Sequence, residues 1–285
     1  MQIQFIGVFV EEEFFRPVKK GMKDAGNALG LDVSFTGDTG GDTSVVNRLI
    51  YSAVDSQVDG IAVDIIHPTS NNEAINYAMS MGVPVVAFNV DATNGKGGHL
   101  AFTQQNFIVA GMKLAKELIN DIPSDATILL AKHDADVSAL EDRGEGIKNG
   151  LISKNASFIE IITTPDANVA AERIETMLRE NPGIAAIFCT GQADTEGAGL
   201  AVKKLNKQIL VGGFDLSHTI IELVKEGYIK TTVDQQPYMQ GYYPVLQLYL
   251  YIRFGIIPCN IDAGAALINK SNASEIIELS KKGYR

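Results

Sequence analysis

Short runs of apolar residues alternate with helical patterns along most of the chain. This alternation predicts βαβ units built around parallel sheets. Most of the runs are almost continuously apolar, which is typical of strands that are buried on both faces. The predicted strands cover residues 3–10, 32–36, 60–66, 84–89, 127–131, 157–163, 185–189, 209–214 and 230–233.

Apolar residues at helical spacing lie between many of these strands. They recur every three or four positions from Phe15 onward, and Gly30 predicts where this helix ends. Ser70 and Glu73 have the spacing of a capping box, which predicts the start of another helix. Further helices are predicted around residues 108–118, 140–151, 174–178, 220–224 and 245–257.

The length and composition of the chain predict two domains. It has 285 residues, and 46% of them are hydrophobic, which is enough for two cores. No Gly/Ser-rich linker separates two halves of the sequence. We therefore expect two lobes joined by several crossings of the chain rather than by one flexible linker.

The charge of the chain excludes several classes of partner. The formal net charge is -10, and the sequence has no cluster of Lys and Arg. We therefore expect no basic face for nucleic acid or for an anionic membrane. No apolar run reaches the ~18 residues of a membrane span. The first predicted strand begins almost at Met1, which suggests either a cytoplasmic protein or a mature chain whose export signal has been removed.

The cysteines and histidines do not indicate a metal site. Cys189 and Cys259 both follow apolar residues, and we predict that both are small buried side chains. The two cysteines have no metal-type spacing, and the four histidines are scattered along the chain.

Polar and aromatic residues follow the carboxyl ends of the predicted strands, where open parallel sheets bind ligands. Carboxylates and amides can each bond two neighbouring hydroxyl groups, arginine supplies a matching pair of donors, and an aromatic ring can cover the apolar face of a sugar. Such loops are polar in every α/β protein, so each residue alone is better explained as a solvated loop residue. The candidate ligand-binding residues are Glu12, Phe14, Phe15, His67, Asn89, Asp91, Arg143, Gln192, Asp215 and Gln235.

Two of these candidates have a competing structural explanation. Phe15 lies on the core-facing stripe of the first helix, which leaves Phe14 as the better candidate for stacking on a sugar. His67 precedes Pro68, which holds it extended, and a structural role explains it as well as a functional one.

Several short motifs occur in order along nearly the whole chain. They include Glu12-Glu-Phe-Phe15, Asp59-Gly-Ile-Ala-Val63, Ile66-His-Pro-Thr69, Arg143-Gly-Glu-Gly146, Val211-Gly-Gly-Phe-Asp215 and Asp234-Gln-Gln-Pro237. Each motif is weak alone, but the ordered set resembles the type I periplasmic (solute) binding proteins, in particular the ribose and simple-sugar-binding class of ABC transporters.

The resemblance implies an α/β fold of two Rossmann-like lobes, each a parallel sheet flanked by helices, joined by three crossovers. The N-terminal lobe is expected to comprise residues 1–103 and 236–263, and the C-terminal lobe residues 104–235 and 264–285. In this family the ligand lies in a cleft between the lobes, and we expect it to select a closed state by bonding to both.

The resemblance also implies a pocket that differs from that of the ribose-type proteins. Glu12 and His67 stand where those proteins have asparagine, Val90 where they have arginine, and Ala167 where they have an aromatic residue. These differences argue against ribose itself. They predict a different neutral monosaccharide or polyol as the ligand.

An enzyme is the first alternative. The glycine-spaced segments 144–146 and 197–199 lack the dinucleotide-binding pattern, and the sequence has neither a phosphate-binding loop nor a nucleophile elbow. Glu12 and Asp215 could imitate an acid/base pair, but no nucleophile accompanies them. We therefore expect no catalytic residues, no cofactor and no metal.

The effector-sensing core of a LacI-type transcriptional regulator is the second alternative, since those proteins share the two-lobed sensor. They carry an N-terminal helix-turn-helix, whereas a strand is predicted here from residue 3. The preferred hypothesis is a monomeric binding protein that delivers its sugar to an ABC permease. We expect it in the periplasm or at the cell surface as a lipoprotein, with its signal peptide absent from this sequence.

Overall fold

The structure is a computed structural model that describes residues 1–135 and 137–285, and it divides into two compact units. The N-terminal unit comprises Met1–Gln105, Gln236–Ala263 and Tyr284. The C-terminal unit comprises Asn106–Gln235, Gly264–Gly283 and Arg285.

Strands and helices alternate along both units. The strands are β1 (Gln2–Gly7), β2 (Asp32–Gly37), β3 (Gly60–Ile65), β4 (Val85–Asp91), β5 (Phe102–Gln104), β6 (Thr127–Lys132), β7 (Ser157–Ile162), β8 (Ile184–Cys189), β9 (Leu210–Phe214), β10 (Thr231–Asp234), β11 (Ile261–Asp262) and β12 (Ala266–Asn269). The helices are α1 (Phe15–Leu29), α2 (Thr43–Asp55), α3 (Asn72–Ser80), α4 (Phe107–Leu118), α5 (Ser138–Gly150), α6 (Ala167–Glu180), α7 (Gln192–Leu205), α8 (His218–Glu226), α9 (Pro237–Phe254) and α10 (Ala273–Lys281).

The sheet of the N-terminal unit has the strand order β11-β5-β4-β3-β1-β2, and its neighbouring strands pair in parallel. Strands β3 and β4 are buried along their whole length, as their apolar sequences predicted. Helices α1 and α9 pack together on one face of the sheet, over a core that includes Phe5, Val18 and Val245.

Two glycines allow α1 and α9 to touch backbone to backbone. A Cβ atom at Gly21 would lie 2.0 Å from the carbonyl oxygen of Tyr238, and one at Gly241 would lie 1.9 Å from that of Val18. Any larger residue at either position would push the helices apart.

The sheet of the C-terminal unit has the strand order β12-β10-β9-β8-β6-β7, with β12 antiparallel to β10 and the other described pairs parallel. Alternate residues of its strands face opposite cores. Ile128 and Leu130 pack on the side of α4 and α5, whereas Leu129 and Ala131 pack on the side of α6, α7, α8 and α10. Parallel strands covered by helices on both faces agree with the predicted fold class.

The predicted strands all exist, but the first is shorter than predicted. Strand β1 ends at Gly7, and residues 8–10 turn away instead of continuing to Val10. Phe9 adopts a positive φ of 51°, and the Val10 N–H bonds to the carbonyl of Asp38. The polar loop that follows β1 therefore begins three residues earlier than the apolar pattern suggested.

The predicted capping box at Ser70 and Glu73 is wrong. Helix α3 begins at Asn72, and no side chain caps it. Instead, the side chain of Asn71 donates to Oδ1 of Asn47, and the carbonyl of Ser70 accepts from the amide of Asn47. These residues tie the start of α3 to α2, so a tertiary contact replaces the local cap.

The prediction that both cysteines are buried is correct for one of them. Cys189 is fully buried at the end of β8, whereas Cys259 is exposed in the segment that follows α9. Ile256 and Ile257 in this segment are also exposed, so the apolar sequence of the segment does not indicate that it is buried.

Candidate functional site

A buried carboxylate lies at the carboxyl end of β3 in the N-terminal unit. Asp64 is 1% exposed, and its two oxygens accept hydrogen bonds of 3.2 Å from Nδ2 of Asn89 and from the backbone N–H of Val90. We call this arrangement, Asp64 with Asn89 and the Val90 N–H, the Asp64 cluster. Asn89 has a φ of 60°, a left-handed conformation that asparagine tolerates better than most residues.

The environment of Asp64 favours its protonated form. Burial raises the pKa of Asp64 to about 7, although the hydrogen bonds from Asn89 and Val90 oppose the shift. The negative charge of Glu12 raises this pKa further, which places Glu12 within electrostatic reach of Asp64. Near neutral pH the carboxyl group can therefore either donate or accept a hydrogen bond.

Glu12 and the two phenylalanines lie at the start of α1. Phe15 is buried in the core, as its place in the helical stripe predicted. Phe14 is half-buried and meets Phe15 edge to face, with ring centroids 5.1 Å apart. Glu12 is also half-buried, and its carbonyl accepts from the Phe15 N–H in the turn that leads into the helix. Phe14 thus keeps an accessible ring surface, and Phe15 supports it.

The Asp64 cluster does not include His67 or Asp91, two of the sequence candidates. His67 is half-buried and lies two residues beyond the end of β3. Asp91 accepts hydrogen bonds from the hydroxyl of Thr93 and the N–H of Gly95, and its Oδ2 lies 3.2 Å from Nε2 of His99. Burial opposes ionisation of Asp91, but the bonds from His99 and Thr93 outweigh it and lower its pKa. Asp91 therefore holds its own loop together.

A second cluster lies at the carboxyl edge of the sheet in the C-terminal unit. Asp215 follows β9, Gln235 follows β10, and Arg143 projects from α5; we call these three residues the Asp215 cluster. Nε2 of Gln235 donates to Oδ1 of Asp215 at 2.5 Å, and Nη1 of Arg143 lies 3.6 Å from Oδ2. The structure thus brings together three of the four candidate residues of the C-terminal unit, Arg143, Asp215 and Gln235.

The Arg143 guanidinium is held from several sides. It stacks 4.3 Å from the ring centroid of Phe214 and 5.2 Å from that of Phe107, and it donates to the carbonyl of Thr190 at 2.8 Å. Cation–π contacts and a charge-assisted hydrogen bond fix its orientation. Arg143 is therefore a pre-positioned donor.

The pKa of Asp215 is raised. Burial is the largest cause, and it outweighs the opposing effects of the nearby charge of Arg143 and the hydrogen bond from Gln235. Asp215 also has a φ of 70°, stabilised by a bond from its N–H to the carbonyl of Val233. Its side chain leaves the strand at an angle that an ordinary extended residue would not adopt.

Gln192, the remaining candidate, is half-buried at the first position of α7. Its Nε2 donates to the carbonyl of Leu216 at 2.8 Å, which ties α7 to the loop after β9. The amide oxygen remains the group through which Gln192 could contact a ligand.

Sequence analysis overlooked Asp64. The signal was present, because Asp64 is the one charged residue in the apolar run 60–66. His67 was the candidate for this strand because it follows the apolar run and stands where the ribose-type proteins have asparagine. Among the described residues, no group of three or more His, Cys, Asp or Glu side chains is arranged to hold a metal ion.

Comparison with known proteins identifies the class. The family model for the periplasmic binding protein domain matches residues 3–255. The xylose/arabinose-binding protein XylF of Sulfolobus acidocaldarius is 27% identical over 299 residues, covering 98% of this chain and 74% of that protein. The ribose import binding protein RbsB of Bacillus subtilis is 28% identical over 233 residues, covering 80% and 74%. A carbohydrate transporter structure from Acidothermus cellulolyticus 11B, in complex with myo-inositol, has a TM-score of 0.90 at 25% identity and covers 100% of this chain and 99% of that one.

The chain belongs to the periplasmic binding protein family. This confirms the predicted family and the predicted fold class, and it supports a solute-binding protein over the core of a LacI-type regulator. Family membership implies a location outside the cytoplasm. No helix in the described part of the chain has the length and hydropathy of a membrane span.

Proposed function

We propose that the protein captures a neutral monosaccharide or polyol and delivers it to an ABC importer. The observation that carries the proposal is the pair of buried clusters, each built on a carboxylate with an amide partner at the carboxyl edge of a sheet. Asp64 with Asn89 and Asp215 with Gln235 offer the alternating acceptors and donors that neighbouring hydroxyl groups need. The names of the relatives, which refer to xylose, arabinose, ribose and myo-inositol, support the same ligand class.

The proposed ligand contacts follow from the roles of the side chains. Asn89, Asp64 and Glu12 bond to hydroxyl groups in the N-terminal unit, His67 contributes at its margin, and Phe14 stacks on an apolar ring face. The contacts of the C-terminal unit are Arg143, Gln192, Asp215 and Gln235. Phe15 and Asp91 act indirectly, because their contacts hold α1 and the loop after β4 in place.

Binding without catalysis is part of the proposal. Each buried carboxylate has hydrogen-bond partners suited to recognition, and the described site residues include no activated nucleophile. The protein would release the sugar unchanged to a permease. We also propose that it acts as a monomer in the periplasm or as a lipoprotein at the cell surface.

A thermal-shift experiment tests the proposed function. The protein is unfolded and refolded to remove carried ligand, and it is then melted with pentoses, hexoses, polyols, deoxysugars and sugar phosphates. A ligand at 100 times its Kd adds about 2.7 kcal/mol to the free energy of unfolding, which raises Tm clearly. We expect a rise with at least one neutral sugar or polyol and none with sugar phosphates. Stabilisation by phosphates alone, or conversion of a bound sugar to a new compound, would overturn the proposal.

A further inference from the structure

A histidine lies beside the Asp215 cluster at the same sheet edge. His133 directly follows β6, and Gly191 lies two residues beyond β8, the neighbour of β6 in the sheet. A Cβ atom at Gly191 would lie 2.5 Å from both Nδ1 and Cε1 of His133. The imidazole therefore occupies the space that any side chain at position 191 would need.

A buried carboxylate lies beside this imidazole. Oδ2 of Asp194 lies 3.5 Å from Nδ1 of His133, and Oδ1 of Asp194 accepts a hydrogen bond from the hydroxyl of Thr163. Asp194 and Thr163 are both completely buried, which restricts their movement. A carboxylate beside Nδ1 favours the tautomer with the proton on that nitrogen, so Nε2 becomes the acceptor of the ring.

The position of His133 links it to the Asp215 cluster. Burial raises the pKa of Asp215, and Arg143 and His133 both oppose this shift electrostatically, so His133 is within electrostatic reach of Asp215. The His133 side chain is 17% exposed, whereas the Asp194 side chain is 0% exposed. Of this pair, His133 is therefore the residue that a ligand can touch.

We propose that His133 is a further ligand-binding residue, that Asp194 positions it, and that the pair selects uncharged hydroxyl-bearing ligands. The inference rests on the proposed function. Nε2 can accept a hydrogen bond from a sugar hydroxyl. The two carboxylates of Asp194 and Asp215 outnumber the one cation, Arg143, so the negative charge disfavours a further carboxylate or phosphate, and sugar acids and sugar phosphates should bind weakly.

Substitutions at His133 test the contact. The affinities of wild type, His133→Ala and His133→Gln are measured by calorimetry with D-xylose, L-arabinose, D-ribose and myo-inositol. We expect His133→Ala to bind the preferred probe about 10-fold or more weakly, because a buried hydroxyl loses its partner. His133→Gln should recover part of the loss, since its amide oxygen also accepts. The exposed His218 of the same unit supplies the control, and His218→Ala should bind like wild type.

Gly191→Ala tests the same contact without altering the imidazole. Gly191 has extended backbone angles, φ -147° and ψ -179°, which alanine adopts readily, so the added methyl group acts by displacing the ring of His133. We expect an affinity loss comparable to that of His133→Ala. In the His133→Ala background, Gly191→Ala should cause little further loss. The Tm of each unliganded variant shows whether folding is intact.

The role of Asp194 has its own readout. In Asp194→Asn, nitrogen-15 NMR of the imidazole should show a changed tautomer ratio for His133, together with weaker binding.

Equal affinities of wild type and His133→Ala would overturn the inference and leave the proposed function standing. Tight binding of a sugar acid by wild type would do the same. If none of the four probes raises the Tm of wild type, the proposed function fails for these sugars, and the inference fails with it.

Discussion

At the scale of single residues, Asp64 is the carboxylate whose chemistry depends most on its surroundings. Its partners are an amide and a backbone N–H, so no cation compensates its charge. Removing an ionised carboxylate from water without an opposite charge is costly, which is why burial raises the pKa to about 7. A group that is half protonated near neutral pH suits a ligand whose hydroxyls both donate and accept.

The raised pKa predicts that the contribution of Asp64 to the stability of the unliganded protein falls as the pH rises from about 4 to about 7. Folded Asp64 keeps its proton in this range, whereas unfolded Asp64, with its ordinary pKa of 3.8, has released it. The folded state then binds more protons, so the free energy of unfolding falls by at most about 1.4 kcal/mol per pH unit from this group. Asp64→Asn should remove that contribution, and urea unfolding across this pH range measures it.

The exposed Asp55 of α2 provides the control for this experiment. Asp55→Asn should keep the pH dependence of wild type. Glu12→Gln should end the fall at a lower pH and make it smaller, because the charge of Glu12 raises the pKa of Asp64 in the folded state. A wild-type pH slope in Asp64→Asn would contradict the raised pKa.

At this scale the sequence identified all three residues of the Asp215 cluster as candidates, but only Asn89 of the Asp64 cluster. Asp215 stands out because it follows an apolar strand, whereas Gln235 follows a largely polar strand and was identified within the motif Asp234-Gln-Gln-Pro237. Asp64 lies inside its strand, one residue before the end. It therefore falls within the apolar run and not after it, where the candidate residues were expected. The roles of His133 and Asp194 depend on contacts between β6 and α7, which no local pattern encodes.

At the scale of elements, apolar runs predicted the buried strands well, because a strand covered on both faces needs apolar residues at every position. The short strands β5, β11 and β12 were missed. They contain two to four residues each and lie towards the edges of the sheets, so tertiary pairing rather than composition defines them. The capping box failed for a similar reason, since Asn71 bonds to α2 instead of capping α3.

The close contact between α1 and α9 leads to a prediction about stability. In Gly241→Ala, the new Cβ would lie 1.9 Å from the carbonyl oxygen of Val18, so the two helices must separate. We expect the free energy of unfolding to fall by about 1–3 kcal/mol, even though alanine favours helix by about 1 kcal/mol. Urea unfolding of the unliganded protein measures the change.

Gly144 in α5 is the matched control, because it is also a glycine inside a helix. The nearest atom to a Cβ there is a side-chain methyl of Leu130 at 3.3 Å, which can move slightly. Gly144→Ala should therefore leave stability nearly unchanged. Equal stabilities of Gly241→Ala and wild type would mean that the α1–α9 contact is looser than described.

At the scale of the whole molecule, the two units repeat one design. Each is a parallel-dominated sheet whose carboxyl edge carries a buried carboxylate bonded to an amide. The clusters differ in charge, because Arg143 accompanies Asp215 while Asp64 has no cation among its hydrogen-bond partners. The Asp215 cluster therefore offers a fixed cationic donor, and the Asp64 cluster offers a group that can change its protonation.

The contacts proposed for each unit predict that a substitution in either cluster weakens sugar binding. Asp64→Ala and Gln235→Ala should each lower the affinity by about 1–3 kcal/mol, because each leaves a ligand hydroxyl without its partner. Asp55→Ala and His218→Ala, at exposed positions of the two units, should have no effect. Calorimetry with the sugar that gives the largest rise in Tm measures the affinities.

Hydrogen exchange gives an independent measurement of the same prediction. The backbone N–H groups of Val90 and Asp215 lie within the two clusters, where they bond to Asp64 and to the carbonyl of Val233. A sugar that bonds to a cluster should slow the exchange of that cluster's amide, since local opening would then cost the binding free energy as well. The contrary outcome is that the sugar protects the amide of one unit only, and that only this unit's substitution weakens binding. That result would assign the sugar site to that unit alone, and the other cluster would then have a different role.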